Sequence, residues 1–370
     1  MNIHYRPTYA EINLEAIHEN VKGLKNFLDE KTGIIAVVKA NAYGHGDVPV
    51  SKAAIEAGAM ALAVATLEEA IRLRDELPDP DILILGPVPA AFAEVAATKN
   101  IILTAYSVDW VHKVLDEAGK FLVPLRVHAK VDSGMGRIGV SELKEADEMF
   151  RLIASTDRLV LDGIFTHFAT ADEESDSYVR EQADRFMQIV NSLPERPRLI
   201  HAANSAAALR YKDLQFDAVR FGISMYGIAP SSVVEKELPY DLRPALSLHS
   251  ELAHVKKVGQ GSTIGYGQTY TAEKEEWIGT LPIGYADGLQ RGLSGQEVIV
   301  DGIRMPIVGR VCMDQCMIRL PKEYPVGEQV VLIGQLGKEE IRMEEWARRL
   351  GTIPYETAVL LTDRINRVYK

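Results

Sequence analysis

Cysteine is scarce: Cys312 and Cys316 are the only two in 370 residues. Two thiols close neither a disulfide framework nor, by themselves, a tetrahedral metal site, so both read as free, mostly buried groups. Long apolar runs are missing too, and nothing in the chain is suited to span a bilayer as a helix. The opening MNIHYRPTYAEINL has no charged segment leading into an apolar core, so no secretory signal is expected. Basic runs are also absent, and the net charge is −11. That balance argues against a nucleic-acid groove or an anionic membrane surface. Apart from a β/α rhythm, the chain has no internal repeat and no low-complexity tract. The expectation left by these absences is a cytoplasmic, enzyme-sized protein.

What is present is ample core material: 47% of residues are hydrophobic and 25% charged. The length suits two domains, or one large barrel with an appendage. Apolar strands alternate with helical patterns. Strands are expected at Ile34 to Val38, Ala61 to Ala65, Asp81 to Leu85, Ile101 to Ala105, Val123 to Val131, Leu159 to His167, Arg198 to Ala203 and Asp217 to Ile223. Helices fill the intervals, and Thr66 stands as N-cap before acids in the first turn of the helix from Leu67. Eight β/α units at this spacing indicate a (β/α)8 TIM barrel over residues 1–240, in preference to an open doubly wound sheet. From about Asp241 to residue 370 the period falls to two. A mostly-β domain is expected there, with Leu246 to Val258 and Met305 to Arg319 as strands and Asp301-Gly302 as a hairpin turn.

Barrel chemistry gathers at the C-terminal strand ends. The stretch IIAVVKANAYGHG runs an apolar strand straight into Lys39, with Tyr43 just beyond. Desolvation at such a strand mouth lowers a lysine's pKa and favours the amine needed for a Schiff base, although a lysine that snorkels into water reads the same way. The other strand ends offer Lys130, Asp132 and Arg137, then His167, then His201, Asn204 and Ser205, then Arg220, Gly222 and Ile223. So many cations at one mouth anticipate an anionic ligand. Main-chain N–H groups of Gly222 and Ile223, with the Ser205 hydroxyl, suit a phosphate; a tight barrel turn is the plainer alternative. Gly134 to Gly139 fits G-x-G-x-x-G, yet four β/α units precede it, whereas the dinucleotide fingerprint belongs in a first βα turn. In the second region, glycine–tyrosine pairs around Tyr266 and Tyr285 suggest exposed, aimed phenols or edge-strand packing.

Taken together, AVVKANAYGHG, HAKVDSGMGRIG, FTHFATAD, HAANSAA, VRFGISMYG, TIGYGQTY, PIGYADGL and GRVCMDQ resemble, in order and over nearly the whole chain, the motifs of the alanine racemase family. The resemblance implies a pyridoxal 5'-phosphate (PLP) barrel fused to a β domain and working as a homodimer, its first ten or so residues pairing with the β domain. Carried over residue by residue, Lys39 would hold PLP, and Tyr266 from the partner subunit would be the second acid/base. Tyr43, Ser205, Gly222, Ile223 and Tyr355 would hold the phosphate, with Asn204 in the same cofactor-binding set. Arg220 would face the pyridine nitrogen with His167 behind it. Arg137 and the Met313 backbone would take the substrate carboxylate. Lys130 matches a lysine that many members carry as a carbamate. Tyr285 and Tyr355 would narrow the entrance, and Asp314 would support it. The implied activity is interconversion of L- and D-alanine, supplying D-alanine for peptidoglycan. A related PLP decarboxylase of basic amino acids would place an acid, not Arg220, at the ring nitrogen. A non-catalytic PLP carrier would lack the β domain, and a nicotinamide oxidoreductase would rest on Gly134 to Gly139 alone.

Overall fold

The computed structural model describes residues 5–370. The chain forms two compact units. One comprises Glu15–Ala42 and Asp47–Arg243; the other comprises residues 5–14, Tyr43–Gly46 and Pro244–Lys370. The expectation that the first ten or so residues pair with the β domain also covers residues 1–4, which lie outside the described residues. Of the remainder, strand β1 (Tyr9–Ile12) belongs to the second unit.

The first unit is a closed parallel barrel of eight strands: β2 (Gly33–Val37), β3 (Ala61–Val64), β4 (Asp81–Ile84), β5 (Ile101–Ala105), β6 (Leu125–Lys130), β7 (Leu159–Phe165), β8 (Leu199–His201) and β9 (Ala218–Phe221). Closure comes from β2 lying parallel to β9, with Ile35 opposite Arg220. The eight-unit reading of the sequence is therefore borne out. Most positions in these strands are buried Ile, Val, Leu or Ala, as a sheet wrapped by helices requires. The helices start where the caps say they should. Thr66 accepts from the Glu69 N–H while Glu69 bonds back to the Thr66 N–H, a complete capping box. Ser107 and Asn204 cap Val108–Glu117 and Ser205–Arg210 through a single side-chain bond each, to the N–H of Trp110 and of Ala207.

In the second unit, β1 pairs antiparallel with β10 (Leu246–Glu251) and parallel with the strand Asn366–Tyr369, so both ends of the chain meet in one sheet. Asp301 and Gly302 both have positive φ, 52° and 69°, and join Glu297–Val300 to Ile303–Val308 through the expected tight hairpin. Two expected long strands are each divided. Leu246 to Val258 breaks at Leu252–Ala253, where the backbone partner changes from Glu328 to Thr280. Met305 to Arg319 splits into Ile303–Val308 and Cys316–Leu320, which releases the loop that holds Cys312, Met313 and Asp314. Among the described residues, no helix is long and apolar enough to cross a membrane.

Candidate active site

Beyond β2 the chain does something its composition does not announce. Ala40, Asn41, Ala42 and Tyr43 have φ of 53°, 53°, 52° and 52°, four consecutive non-glycine residues in the left-handed region. Each such residue costs about 1–2 kcal/mol. Local hydrogen bonds hold the turn: Ala40 N–H donates to Glu69 Oε1 at 2.6 Å, Ala42 N–H to the Val38 carbonyl at 2.9 Å, and Asp47 N–H to Asn41 Oδ1 at 3.0 Å. Glu69 thus caps its own helix and anchors the residue after Lys39. Strain kept in place by surrounding bonds is characteristic of a functional position. Because the Ala40 methyl is exposed, Ala40→Gly should stabilise the protein by about 0.5–1 kcal/mol, read as a higher urea midpoint.

Lys39 opens this turn. Burial is the main cause lowering its pKa, and the nearby Arg137 and Arg220 lower it further against the opposing pull of Glu69. Its amine is therefore easier to deprotonate than an exposed lysine's. Lys130, 2% exposed, lies deeper. Its Nζ donates to the Val131 carbonyl at 2.6 Å and sits 5.4 Å from the Phe165 ring centre. Burial first, then Arg220, push it down to about 7. An unfolded chain would protonate this side chain below its ordinary value of 10.5, the folded one only below about 7. Lys130 therefore costs stability progressively as pH falls through that window, and no further beneath it. Lys130→Met should remove this cost. Urea titrations of the variant against the parent should diverge across the window, in the variant's favour at the lower end, by up to about 5 kcal/mol.

Arg220 is 3% exposed and densely held. One terminal nitrogen donates to His201 Nδ1 at 2.8 Å; the other donates to the Thr166 and Ala202 carbonyls, both at 2.7 Å, and to His167 Nδ1 at 3.2 Å. Its Nε–H has no partner among the described residues. Burial pushes the guanidinium down to about 9, still charged near neutrality. His167 and His201 are held well below the ordinary histidine range by burial and then by Arg220, so both are neutral. Ser205 Oγ accepts from the Gly222 N–H at 2.9 Å, leaving its own O–H available. Ile223 begins a single 3-10 turn, so its N–H has no acceptor within that turn. Asn204 caps the helix that starts at Ser205.

The Gly134–Gly139 segment is not a nucleotide cradle. The N–H groups of Gly134, Gly136 and Arg137 all donate to the Asp132 carboxylate at 3.0 Å. Gly139 has φ 120°, and a Cβ there would lie 2.7–2.9 Å from the backbone of residues 130–132. The glycines fold the loop back on its own strand and leave the Arg137 side chain exposed.

The second unit holds the remaining candidates. Tyr43 and Tyr355 face each other with ring centres 6.2 Å apart. Burial pushes the Tyr43 phenol above the usual tyrosine range. Tyr266 is 68% exposed, Met313 53% and Tyr285 41%. Tyr285 and Ala286 donate their N–H groups to the Cys312 and Met313 carbonyls at 3.0 Å, which joins the Tyr285 turn to the Met313 loop. Arg364 ties Asp314 to Asp287, which is fully buried. Sequence reasoning missed Glu69 as the anchor of Ala40, and missed His128 and Asp162, which line up behind His201. A capping Glu and a mid-strand His carry no local signal of such contacts.

Comparison with known proteins agrees with this arrangement. Residues 12–230 match the alanine racemase N-terminal domain and residues 245–369 the C-terminal domain. Alanine racemase of Geobacillus stearothermophilus is 50% identical, over 100% of this chain and 95% of its own length. The crystal structure of the Bacillus anthracis alanine racemase with bound L-Ala-P superposes with a TM-score of 0.95 at 46% identity, covering 100% of this chain and 96% of the other. The crystal structure of alanine racemase from E. faecalis reaches 0.96 at 46% identity, covering 100% of both chains. With both domains matched and half the residues shared end to end, the chain belongs to the alanine racemase family.

Proposed function

We propose that the protein interconverts L- and D-alanine with PLP, using Lys39 on one face of the reacting carbon and Tyr266 of a second copy of the chain on the other. As a member of its family it is a racemase, an isomerase of alanine. The observation that carries the residue assignment is the Lys39 amine, desolvated at the barrel mouth and flanked by Arg137 and Arg220.

The donor set fits the cofactor. A weakened lysine suits its aldehyde. The unpartnered Arg220 Nε–H suits a ring nitrogen, and the Ser205 hydroxyl with the Ile223 N–H suits its phosphate, while the Gly222 N–H, bonded to Ser205 Oγ, orients that hydroxyl. Tyr43 and Tyr355 are assigned to that phosphate by the family resemblance, and Asn204 supports it by starting the helix at Ser205. When bound, the group supplies an electron sink that acidifies the Cα–H of alanine. The chain does the rest. Lys39 Nζ holds or releases a proton on one side, and the Tyr266 phenol does so on the opposite side, so inversion follows from removal on one face and return on the other. Arg137 and the Met313 N–H bind the carboxylate and orient the Cα–H bond between the bases. As a carbamate, Lys130 would support Arg137; its burial, which lowers its pKa to about 7, favours the neutral amine that captures CO2. Tyr285 and Asp314 shape the approach. The exposure of Tyr266 and Met313 in a single chain supports a homodimer whose subunits complete each other. D-alanine for peptidoglycan is the product's proposed use.

The test is incubation with pure L-alanine, and separately with pure D-alanine, followed by chiral chromatography. Enantiomers are equal in energy, so both mixtures should converge on equal amounts. A sample that binds PLP but leaves either enantiomer unchanged would refute the assignment.

A further inference from the structure

Two imidazoles stand in the barrel interior, where layers of Val, Ile and Leu are usual. His128 and His201 are 1% and 0% exposed. Buried polar groups on this scale need a reason. Their hydrogen bonds have only one consistent direction. A guanidinium can only donate, so Arg220 makes His201 Nδ1 an acceptor at 2.8 Å. The His201 proton is then on Nε2, which meets His128 Nδ1 at 2.9 Å and donates to it. The His128 proton is in turn on Nε2, directed at Asp162 Oδ2 at 3.4 Å. Asp162 is bound to act as acceptor: Arg198 contacts both its oxygens at 2.8 and 2.9 Å, and Arg126 contacts Oδ2 at 2.8 Å. The packing keeps this order. Phe165 stacks on His201 with centres 4.9 Å apart and planes within 5°. At Gly163 a Cβ would fall 2.6–2.7 Å from the His128 ring, so only glycine leaves room for it.

We propose that Asp162, His128 and His201 form a one-way hydrogen-bonded line along the barrel that holds the Arg220 guanidinium in place at the mouth, which makes Asp162 and His128 positioning residues for the reaction. This rests on the functional reading above, in which Arg220 faces the cofactor's ring nitrogen. Protonating either imidazole would set donor against donor, at Arg220 or between the rings. The line therefore holds each ring in its neutral Nε2–H form and pins one end of the guanidinium, while the Thr166 and Ala202 carbonyls pin the other. Reversing any link would loosen the group that keeps the ring nitrogen unprotonated.

The experiment compares Asp162→Asn, His128→Leu and His128→Gln with Asp81→Asn as control. Asp81 binds the same Arg126 and Arg198 but no imidazole, so its variant reports lost ion pairs alone. Glutamine at 128 can accept from His201 through Oε1 and donate to Asp162 through Nε2. Nitrogen-15 NMR of the cofactor-free protein reads the tautomers directly. The parent should show Nε2–H for both histidines, unchanged between pH 6 and 9. Asp162→Asn, whose amide can donate into the line, should mix the His201 tautomers; both Asp162→Asn and His128→Leu should weaken PLP binding by roughly tenfold to a hundredfold and raise the transaminated product per racemised alanine. His128→Gln and Asp81→Asn should behave as the parent in all three. The proposal is overturned if His201 in the parent carries its proton on Nδ1. It is equally overturned if Asp162→Asn and His128→Leu lose only as much stability as Asp81→Asn, with tautomers, PLP affinity and product ratio unmoved. A parent that shows the stated tautomers yet does not racemise alanine would count against the functional reading and leave the line standing.

Discussion

With Tyr266 replaced by phenylalanine, racemisation falls by about 10²–10⁴-fold in both directions, and one enantiomer goes on exchanging its Cα hydrogen with solvent while its mirror image does not. The asymmetry follows from the proposed placement of the two bases on opposite faces. Lys39 remains on its own face, so the enantiomer whose Cα–H points there still loses and regains a proton without inverting. Its mirror image presents the Cα–H to a phenyl ring that cannot accept a proton. Both net rates fall equally, because the equilibrium constant between enantiomers is one and no mutation alters it. The measurement is deuterium uptake from D2O by each pure enantiomer, followed by mass spectrometry, beside chiral analysis of the same samples. Equal uptake by both would show that a single base serves both faces, and the pairing of Lys39 with Tyr266 would be lost. Because Tyr266 is 68% exposed in the single chain, the substitution should leave the folding of that chain intact, and loss of activity can be assigned to chemistry.

Much of this was legible in the chain because the signals were local. An apolar run that stops at Lys39, or at the residues before His167 and Arg220, marks both a strand and the end that faces a barrel's mouth. Thr66, with acids in the turn after it, announced its helix, and Asp301-Gly302 its hairpin. The features that stayed hidden arise from contacts made far along the chain or against local preference. Lys39-Ala-Asn-Ala-Tyr43 contains no glycine, so nothing in it warns of a left-handed turn; that geometry is imposed by Glu69 and Asp47. The loop at Cys312 to Asp314 is apolar enough to read as the middle of one strand. It leaves the ladder because Cys312 and Met313 give their carbonyls to residues 285 and 286 instead of a neighbouring strand. The Asp162–His128–His201 line joins positions on three strands, and its polarity is set by Arg220 on a fourth. Lone histidines in apolar strands say nothing about such a partnership until the barrel closes.

Arg220→Glu should produce the largest change in reaction outcome: racemisation reduced roughly 10²–10³-fold and transaminated product, read as pyruvate from alanine, increased relative to inverted alanine. Arginine donates a hydrogen bond but surrenders its proton reluctantly, so in the proposed site it would hold a ring nitrogen unprotonated and keep the electron sink weak. Glutamate in its place carries a proton it can share. With a stronger sink bound, transaminated product would be favoured over inverted alanine. The substitution also strips donors from His201 Nδ1, His167 Nδ1 and the Thr166 and Ala202 carbonyls, and leaves a buried acid among those acceptors, a loss on the order of 3–5 kcal/mol of stability. For that reason the reading is a product ratio from folded, PLP-loaded protein rather than a rate. Arg220→Lys separates the two effects. It keeps a cation and a poor acid while giving up the forked geometry, so it should lower activity without raising the pyruvate ratio. If both variants leave that ratio where the parent has it, Arg220 does not govern reaction choice, and its dense buried bonding must be explained by barrel stability alone.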